Sequence, residues 1–192
     1  NKFLSREWIE MSSILSFAGP RFTTKRLTLA GMLIALEVVL EKISIGDPTI
    51  LKFGFGFIAT ALIGYYLGPW IGGWAMVVND IISNTILNSG TAFFPGFTFS
   101  AFISGVLAGM FLYNQKITWQ RALIYEFFQI LVTNVIFTTL WIYIMSLNTG
   151  STGKTFWALL LIRLPKEVIT WPLEGIIVFL ILKRLSKINL RV

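Results

Sequence analysis

The sequence of 192 residues contains no cysteine and no histidine. Without cysteine, the chain has no disulfide, no thiolate nucleophile and no iron–sulfur site. Without histidine, it has no imidazole base and no imidazole ligand for a metal ion. Most nucleophilic and metal-dependent catalytic sites are therefore excluded, and an enzyme hypothesis is left with carboxylate chemistry alone.

Charged residues are also scarce, at 13% of the chain against 55% apolar residues, and the mean hydropathy is +0.75. A soluble domain carries charge on about one residue in four. Asp80 is the only charged residue between Lys52 and Lys116, and residues 127–153 carry no charge. Both stretches are long enough to cross a membrane. The composition therefore predicts an all-α integral membrane protein in a lipid bilayer.

Hydrophobic stretches separated by turn signals predict a bundle of six transmembrane helices. The expected spans are residues 27–43, 53–67, 70–88, 98–113, 119–147 and 155–182. Gly68-Pro69 separates the second span from the third. Residues 27–192 then form a single membrane domain, preceded by a segment at 1–26 that is expected to be cytoplasmic or interfacial, as an amphipathic helix. Residues 1–10, ahead of Met11, are either native or an addition to the natural chain.

The basic residues are distributed unevenly between the ends of the predicted spans. With six spans, 11 of the 16 cations lie on the side of the two termini and 3 on the other. Because basic residues accumulate on the cytoplasmic side, both termini are predicted to be cytoplasmic. The net charge of +7 is mostly this orientation signal, and no basic groove points to a nucleic acid partner.

Four of the charged residues inside the predicted spans suggest a binding site, because burying a charge in a bilayer is costly. They are Asp80 in the third span and Arg163, Lys166 and Glu167 in the sixth. Asp80 and Arg163 are each expected about 12 Å below the outer surface. With Asn84 on the face of Asp80, they predict a polar pocket with two cations and one anion. Alternatively, Arg163 pairs with Asp80 between helices, or with Glu167 along one helix.

Two further patterns suggest binding surfaces. The uncharged outer loop at 88–97 contains Phe93, Phe94, Gly96 and Phe97, which predict either a wall over the pocket or an anchor in the membrane interface. In the first span, Gly31 and Ala35 form a small-residue pair, which suits either a docking groove or packing inside the bundle.

Several segments resemble the substrate-binding S components of energy-coupling factor (ECF) vitamin transporters. They are residues 30–37 (AGMLIALE), residues 53–58 (FGFGFI) with Leu67-Gly68-Pro69, and residues 93–101 (FFPGFTFSA). The last segment most resembles the folate-specific group, and the sixth span, with Arg163, Lys166, Pro172 and Glu174, is similar to that group too.

The resemblance implies a six-helix protein of the prokaryotic plasma membrane that binds a vitamin from outside and is not an enzyme. It also implies a transmembrane coupling subunit and two cytoplasmic ATPases as partners. The family docks its coupling subunit through an Ala-xxx-Ala surface on the first helix, which Gly31 and Ala35 match in small-residue form. No cofactor is expected in this chain, because its partners use the ATP.

Folate also suits the candidate residues chemically. Asp80, beside Asn84, is expected to accept the adjacent N–H donors of the pterin. Phe94 or Phe97 is expected to stack on its aromatic part. Its glutamate carboxylates require cations, for which Arg163, Lys166 and Lys52 are available.

Two cations suit cationic thiamine poorly, whereas riboflavin or another anionic vitamin remains an alternative. A self-contained secondary transporter with a proton site at Asp80 or Glu167 is a second alternative, although no internal repeat supports it. A membrane enzyme with a carboxylate-based site is the third, without any paired-acid spacing in its favour.

Overall fold

The computed structural model describes residues 15–17, 19–45, 53–87, 93–148 and 155–187. These residues are almost entirely helical. The helices are α1 (Thr24–Lys42), α2 (Gly56–Ile81), α3 (Pro95–Leu112), α4 (Trp119–Gln129), α5 (Thr138–Asn148) and α6 (Phe156–Leu185). Two wider π-helical stretches, Ile82–Ile86 and Ile130–Phe137, continue α2 and join α4 to α5. A short antiparallel ladder pairs β1 (Ser44–Ile45) with β2 (Phe53–Gly54).

The first helix begins three residues earlier than the sequence predicts. Thr23 has extended backbone angles, and its hydroxyl accepts a hydrogen bond from the N–H of Arg26 at 3.4 Å, as expected of a helix N-cap. Residues 15–17 and 19–23 are not helical, which does not fit the expected amphipathic helix there, and residues 1–14 lie outside the described part. Ser16 N–H instead donates to the Met110 carbonyl at 2.7 Å, which ties this segment to the end of α3.

The chain reverses direction within α2, at Gly68. This residue has φ 72° and ψ −177°, which is not a helical conformation. The positive φ favours glycine. The Cγ2 of Ile63 lies 3.5 Å from where a Cβ on Gly72 would be. Ile63 and Gly72 are nine residues apart, and in a continuous helix they would lie about 13 Å from each other. Residues 56–67 and 69–81 therefore pack against each other as a hairpin, as the Gly68-Pro69 turn signal predicts.

A seam of small residues holds α2 against α3. A Cβ on Gly109 would overlap the backbone of Gly68 and Pro69, and one on Gly64 would overlap Ala108. Such close backbone contact is how helices associate in lipid, where association depends on packing. Apolar side chains flank the seam and form the core of the bundle, among them Ile63, Leu67, Ala108 and Leu112.

The other helices surround this pair. On α4, Thr118 caps the first turn through its hydroxyl, which accepts from the N–H of Arg121 at 3.3 Å. The helix α6 packs along α4, where the indole N–H of Trp171 donates to the Leu123 carbonyl at 2.8 Å. It runs unbroken past Pro165 and Pro172.

Three helical stretches of the described residues are long and apolar enough to cross a membrane: Gly56–Ile86, Pro95–Leu112 and Trp119–Leu147. The first of them contains two of the predicted spans, which meet at Gly68. The helices α1 and α6 do not qualify by composition, since each carries five or more charged residues. Several of these charged residues line a polar cavity between the helices.

Candidate functional site

A cavity of about 390 Å³ lies between the helices, with residues from all six α-helices and the second π-helical stretch in its wall. Its lining is mostly polar. The polar side chains are Glu37, Glu41, Thr60, Ser100, Ser104, Tyr125, Glu126, Gln129, Thr133, Asn134, Thr138, Lys166, Glu167, Thr170 and Glu174. Five carboxyl groups and one ammonium group thus share one space, which is the polar interior expected of a membrane protein that binds a solute.

The carboxyl groups of α1 are held by α2. Glu37 is 2% exposed, and its Oε1 accepts a hydrogen bond from the Thr60 hydroxyl at 2.9 Å. Glu41 has both oxygens occupied, because it accepts from Asn79 Nδ2 at 3.0 Å and from the Ser83 hydroxyl at 2.8 Å. The polar face of α1 therefore turns into the bundle.

The carboxyl group of Glu126 on α4 has a different environment. Its side chain is fully buried, and neither oxygen has a hydrogen-bond partner among the described residues. Its neighbour Tyr125 is also fully buried, with an unpartnered hydroxyl. One turn further along the helix, Gln129 donates through Nε2 to the Ser104 hydroxyl, while its Oε1 has no partner in the same set. This part of the wall presents unoccupied polar atoms.

The helix α6 contributes Lys166, the only cation among the described residues of the wall. Lys166 Nζ lies 3.9 Å from Glu167 Oε1, and Asn134 Nδ2 donates to Glu167 Oε2 at 3.3 Å. Asn134 belongs to the π-helical stretch, where the Thr138 hydroxyl donates to the Thr133 carbonyl five residues back, at 2.8 Å. Such wide turns often occur at functional sites.

Asp80 lies beside the cavity in a hydrogen-bonded cluster of its own. Its Oδ1 accepts from Asn84 Nδ2 at 2.8 Å, and its Oδ2 accepts from the Thr98 hydroxyl at 2.6 Å. Both carboxylate oxygens are therefore occupied, Oδ1 by Asn84 of the same helical stretch and Oδ2 by Thr98 in the first turn of α3. The sequence prediction that Asp80 and Asn84 share a face agrees with this contact, and Thr98 is an additional partner.

Aromatic rings cover the same end of α3. The rings of Phe94 and Phe97 meet edge to face at 6.0 Å, and Phe94 lies 5.8 Å from Trp141 of α5. Trp141 also donates through its indole N–H to the Ser100 hydroxyl, at 2.7 Å, in the cavity wall. Gly96 fits between Phe94 and Trp141, where a Cβ would overlap both rings. The segment 95–97 belongs to α3 and not to a loop, because Pro95 starts the helix.

The described wall of the cavity differs in charge from the predicted pocket of two cations and one anion. The cavity contains five carboxyl groups, since α1 and α4 turn their acidic side chains inward. Asp80 and Arg163 form no ion pair in the part of the chain that the structure describes, and neither do Arg163 and Glu167. Arg163 lies one turn before Lys166 on α6 and is not part of the described cavity wall. Its Nε is buried and has no hydrogen-bond partner among the described residues. Lys52 lies outside the described residues.

Glu126 and Trp141 were not predicted from the sequence, and Glu174 was named there only as part of the family resemblance. Glu126 lies seven residues inside the fifth predicted span, about 10 Å along a helix. The cost of burying a charge, which singled out Asp80, applies to Glu126 equally. Nothing in the local sequence distinguishes Trp141 from a residue of the membrane interface.

Gly31 and Ala35 lie on an outward face of α1. Both residues are exposed, and a Cβ on Gly31 would meet no atom within 4 Å. Exposed Met32, Leu36 and Val39 flank them. This pair therefore takes no part in packing inside the bundle.

Comparisons with known proteins agree with this architecture. The sequence is 36% identical to the folate transporter FolT of Clostridium novyi over 148 residues, which are 77% of this chain and 81% of that protein. It is 32% identical to the folate transporter FolT of Leuconostoc mesenteroides over 167 residues, 84% of this chain and 87% of that protein. Among solved structures, it is similar to a crystal structure of FolT bound with folic acid, with a TM-score of 0.69 and 35% identity, covering 82% of this chain and 92% of that one.

The family model described as "ECF transporter, substrate-specific component" matches residues 25–182, which include the helices that form the cavity. The match extends over far more than half of the chain. The polar cavity within an apolar helical bundle, the membrane-spanning composition and this match agree. The chain belongs to the family of substrate-specific components of ECF transporters.

Proposed function

We propose that this chain is the high-affinity folate-binding S component of an ECF-type importer. It captures folate from the outer side of the membrane and delivers it together with a coupling subunit and two ATPases. As a transport component of this family it is not an enzyme. It uses no cofactor of its own in this proposal, since ATP is used by its partners.

The observation that carries the substrate assignment is similarity to proteins of one named specificity. Two curated folate transporters share 36% and 32% identity with this chain over most of both lengths. The similar solved structure was determined with folic acid bound. A cavity of about 390 Å³ inside the bundle supports the proposal, because drug-sized ligands occupy cavities of roughly 300–1,000 Å³.

The proposed contacts combine the cavity wall with the groups at its outer end. Phe94 and Phe97 supply aromatic surface for the ring system, and Gly96 lets them pack on Trp141. The cations proposed for the glutamate carboxylates are Arg163 and Lys166, with Lys52. Asp80 and Asn84 complete the proposed site beside α3.

Six transmembrane helices with both termini in the cytoplasm complete the proposal. The reversal at Gly68 supports this count, because it divides residues 56–86 into two antiparallel segments. The excess of basic residues on one side supports the orientation. The proposed location is the prokaryotic plasma membrane.

The coupling subunit is proposed to dock on the exposed face of α1. Gly31 and Ala35 leave a shallow strip, which the exposed side chains of Met32 and Leu36 border on one side. Small residues allow close approach of a second helix in lipid. The two ATPases are expected to act through the coupling subunit.

Titration of the purified protein with folic acid tests the substrate assignment. Trp141 lies beside the proposed ring contacts, so folic acid is expected to change the tryptophan fluorescence in a saturable way. Riboflavin, biotin and thiamine serve as controls and should give no saturable change.

Two outcomes would contradict the proposal. A saturable response to one of the control vitamins, with none to folic acid, would show that the control vitamin and not folate is the ligand. Uptake into liposomes by this chain alone, driven by a proton gradient, would favour the secondary transporter.

A further inference from the structure

The segment that leads into α1 lies across one end of the bundle as a non-helical strap, which we define as residues 15–17 and 19–23. The Phe17 carbonyl accepts a hydrogen bond from the indole N–H of Trp70 at 3.2 Å. Further along, Cδ of Pro20 lies 2.9 Å from where a Cβ on Gly68 would be. The strap is therefore fixed against the turn at which the α2 hairpin reverses.

Three exposed cations surround this turn, and we call them the basic rim. They are Arg21 in the strap, Lys25 in the first turn of α1 and Lys116 between α3 and α4. Lys116 follows Tyr113 by three residues, and the Tyr113 ring lies 3.3 Å from the Cβ position at Gly68. The basic rim therefore brings together cations from two distant parts of the chain.

No carboxylate neutralises the basic rim in the part of the chain that the structure describes. Residues 19–36, 53–79 and 93–125 contain no aspartate or glutamate. The first carboxyl group along α1 is Glu37, twelve residues or about 18 Å beyond Lys25. None of the three cations forms an ion pair with a described residue. This end of the bundle therefore presents positive charge to its surroundings.

Exposed aromatic rings accompany that charge. Phe17, Phe22 and Trp70 are 62%, 68% and 54% exposed. Aromatic side chains are enriched where a membrane protein meets the interface between lipid and water. Neither these rings nor the basic rim belong to the described cavity wall. The surface is thus separate from the cavity, and it combines cations with rings in the way that the headgroup region of an anionic bilayer requires.

We propose that the strap and the basic rim bind the headgroups of anionic phospholipids. The phosphates lie against Arg21, Lys25 and Lys116, and the exposed rings pack against the glycerol and the upper part of the acyl chains. In the proposed orientation this surface meets the cytoplasmic leaflet, whose lipids are anionic. A cation beside such a leaflet increases the affinity roughly fivefold.

The test compares phosphatidylglycerol with phosphatidylcholine of the same acyl chains. Each lipid is titrated into the purified chain in an uncharged detergent, and native mass spectrometry gives the Kd of the first bound lipid. The wild-type protein should prefer phosphatidylglycerol by at least about tenfold, because two or more cations contribute. In the double variant Arg21→Gln/Lys25→Gln, the preference should fall below about threefold.

The double variant Lys183→Gln/Arg184→Gln is the matched control. It removes the same charge from two exposed cations at the end of α6, where Lys183 Nζ already lies 5.0 Å from the centre of the Phe179 ring. The control should keep the wild-type preference. An equal loss of preference in both double variants would show an effect of net charge alone and would overturn the proposal.

The substitutions should not disturb the fold, since the side chains are exposed and the bond from Arg26 Nη1 reaches the backbone carbonyl of residue 21. A wild-type protein that does not distinguish the two lipids overturns the proposal, whatever the variants do. Glycerol 3-phosphate carries the phosphate without acyl chains and should not displace phosphatidylglycerol at equal concentration. Displacement would show a site for soluble phosphates and would overturn the assignment to lipid.

Discussion

Arg163 is the one cation of the described residues with a buried side-chain nitrogen that has no hydrogen-bond partner there. Its Nε is buried, and no described side chain accepts from it. The two structural interpretations, an ion pair with Asp80 or with Glu167, are absent from the described residues, where Glu167 contacts Lys166 and Asn134 instead. A guanidinium left in this state is suited to bind an anion.

Replacement of Arg163 by alanine should therefore weaken folic acid binding by more than about 1.5 kcal/mol, the lower range for a hydrogen bond to a charged group. The loss should come from the glutamate part of the ligand. The measurement is the Kd of the variant by fluorescence titration, with folic acid and with pteroic acid, which lacks the glutamate.

Pteroic acid is the internal control. Arg163→Ala should change its affinity little, because the ligand carries no glutamate carboxylate for the guanidinium to bind. An equal loss of affinity for folic acid and pteroic acid would show that Arg163 has a structural role and does not bind the glutamate.

At the level of single residues, the sequence predicted positions better than partners. The spacing of Asp80 and Asn84 predicted a shared helical face, and the two side chains do form a hydrogen bond. The hydrogen bond from the Thr98 hydroxyl to Asp80 depends on how α2 packs on α3, which no local sequence pattern encodes. Glu126 was recognisable by depth alone, but its lack of partners follows from tertiary packing.

At the level of helices, α1 separates two tasks by face. Glu37 and Glu41 turn inward to α2 and the cavity, whereas Gly31 and Ala35 face outward. The sequence left open whether this small pair packs inside the bundle or meets another helix, and its exposure removes the first alternative. Docking of the coupling subunit is the proposed use of that face.

Gly31→Trp should leave folic acid binding intact and abolish uptake. The indole would fill the outward strip on α1 without touching the bundle, since no atom lies within 4 Å of a Cβ there. The measurement is folic acid binding by the purified chain, together with uptake by cells that contain the whole transporter.

Val168→Trp is the matched control, because Val168 is an exposed apolar residue on α6, at 64% exposure. It should retain both binding and uptake. Loss of binding in Gly31→Trp would show that α1 needs this surface for its own folding, and normal uptake would place the coupling subunit elsewhere.

The helix boundaries show which sequence signals were reliable. The Gly68-Pro69 signal located a true reversal, because a positive φ and a ring without an N–H are both local properties. Pro165 and Pro172 are local helix-breaking signals of the same kind, yet α6 continues past both. Tertiary packing decides the effect of proline in a membrane helix, since neighbouring groups can satisfy the freed carbonyls.

At the level of the whole molecule, the distribution of charge determines both solubility in lipid and orientation. The described carboxyl groups are gathered inside the bundle or against it, at Glu37, Glu41, Asp80, Glu126, Glu167 and Glu174. Arg163 and Lys166 lie within α6, but most of the described cations lie at or near helix ends, including Lys25 and Arg26 on α1 and Lys183 and Arg184 on α6. The basic residues at these two helix ends support the proposed location of both ends on the cytoplasmic side.

The number of membrane crossings decides whether the start of α1 and the end of α6 can lie on the same side of the membrane. If Gly68 reverses the chain so that residues 56–86 cross twice, the start of α1 and the end of α6 lie on the same side of the membrane. If that stretch crosses once, they lie on opposite sides. Because the chain has no native cysteine, single cysteines introduced into it can be labelled without background.

Thr24→Cys, Thr155→Cys and Ser186→Cys place one thiol each at exposed helix ends. In intact cells, a membrane-impermeant maleimide should label Thr155→Cys, at the outer end of α6. Thr24→Cys and Ser186→Cys should react only after permeabilisation, because six crossings return both ends to the cytoplasm. Each variant should first bind folic acid like the wild type, which shows that it is folded. Labelling of one terminal position from outside but not the other would contradict the six-helix arrangement, since an odd number of crossings would then separate the two ends. Labelling of both would contradict the cytoplasmic orientation instead.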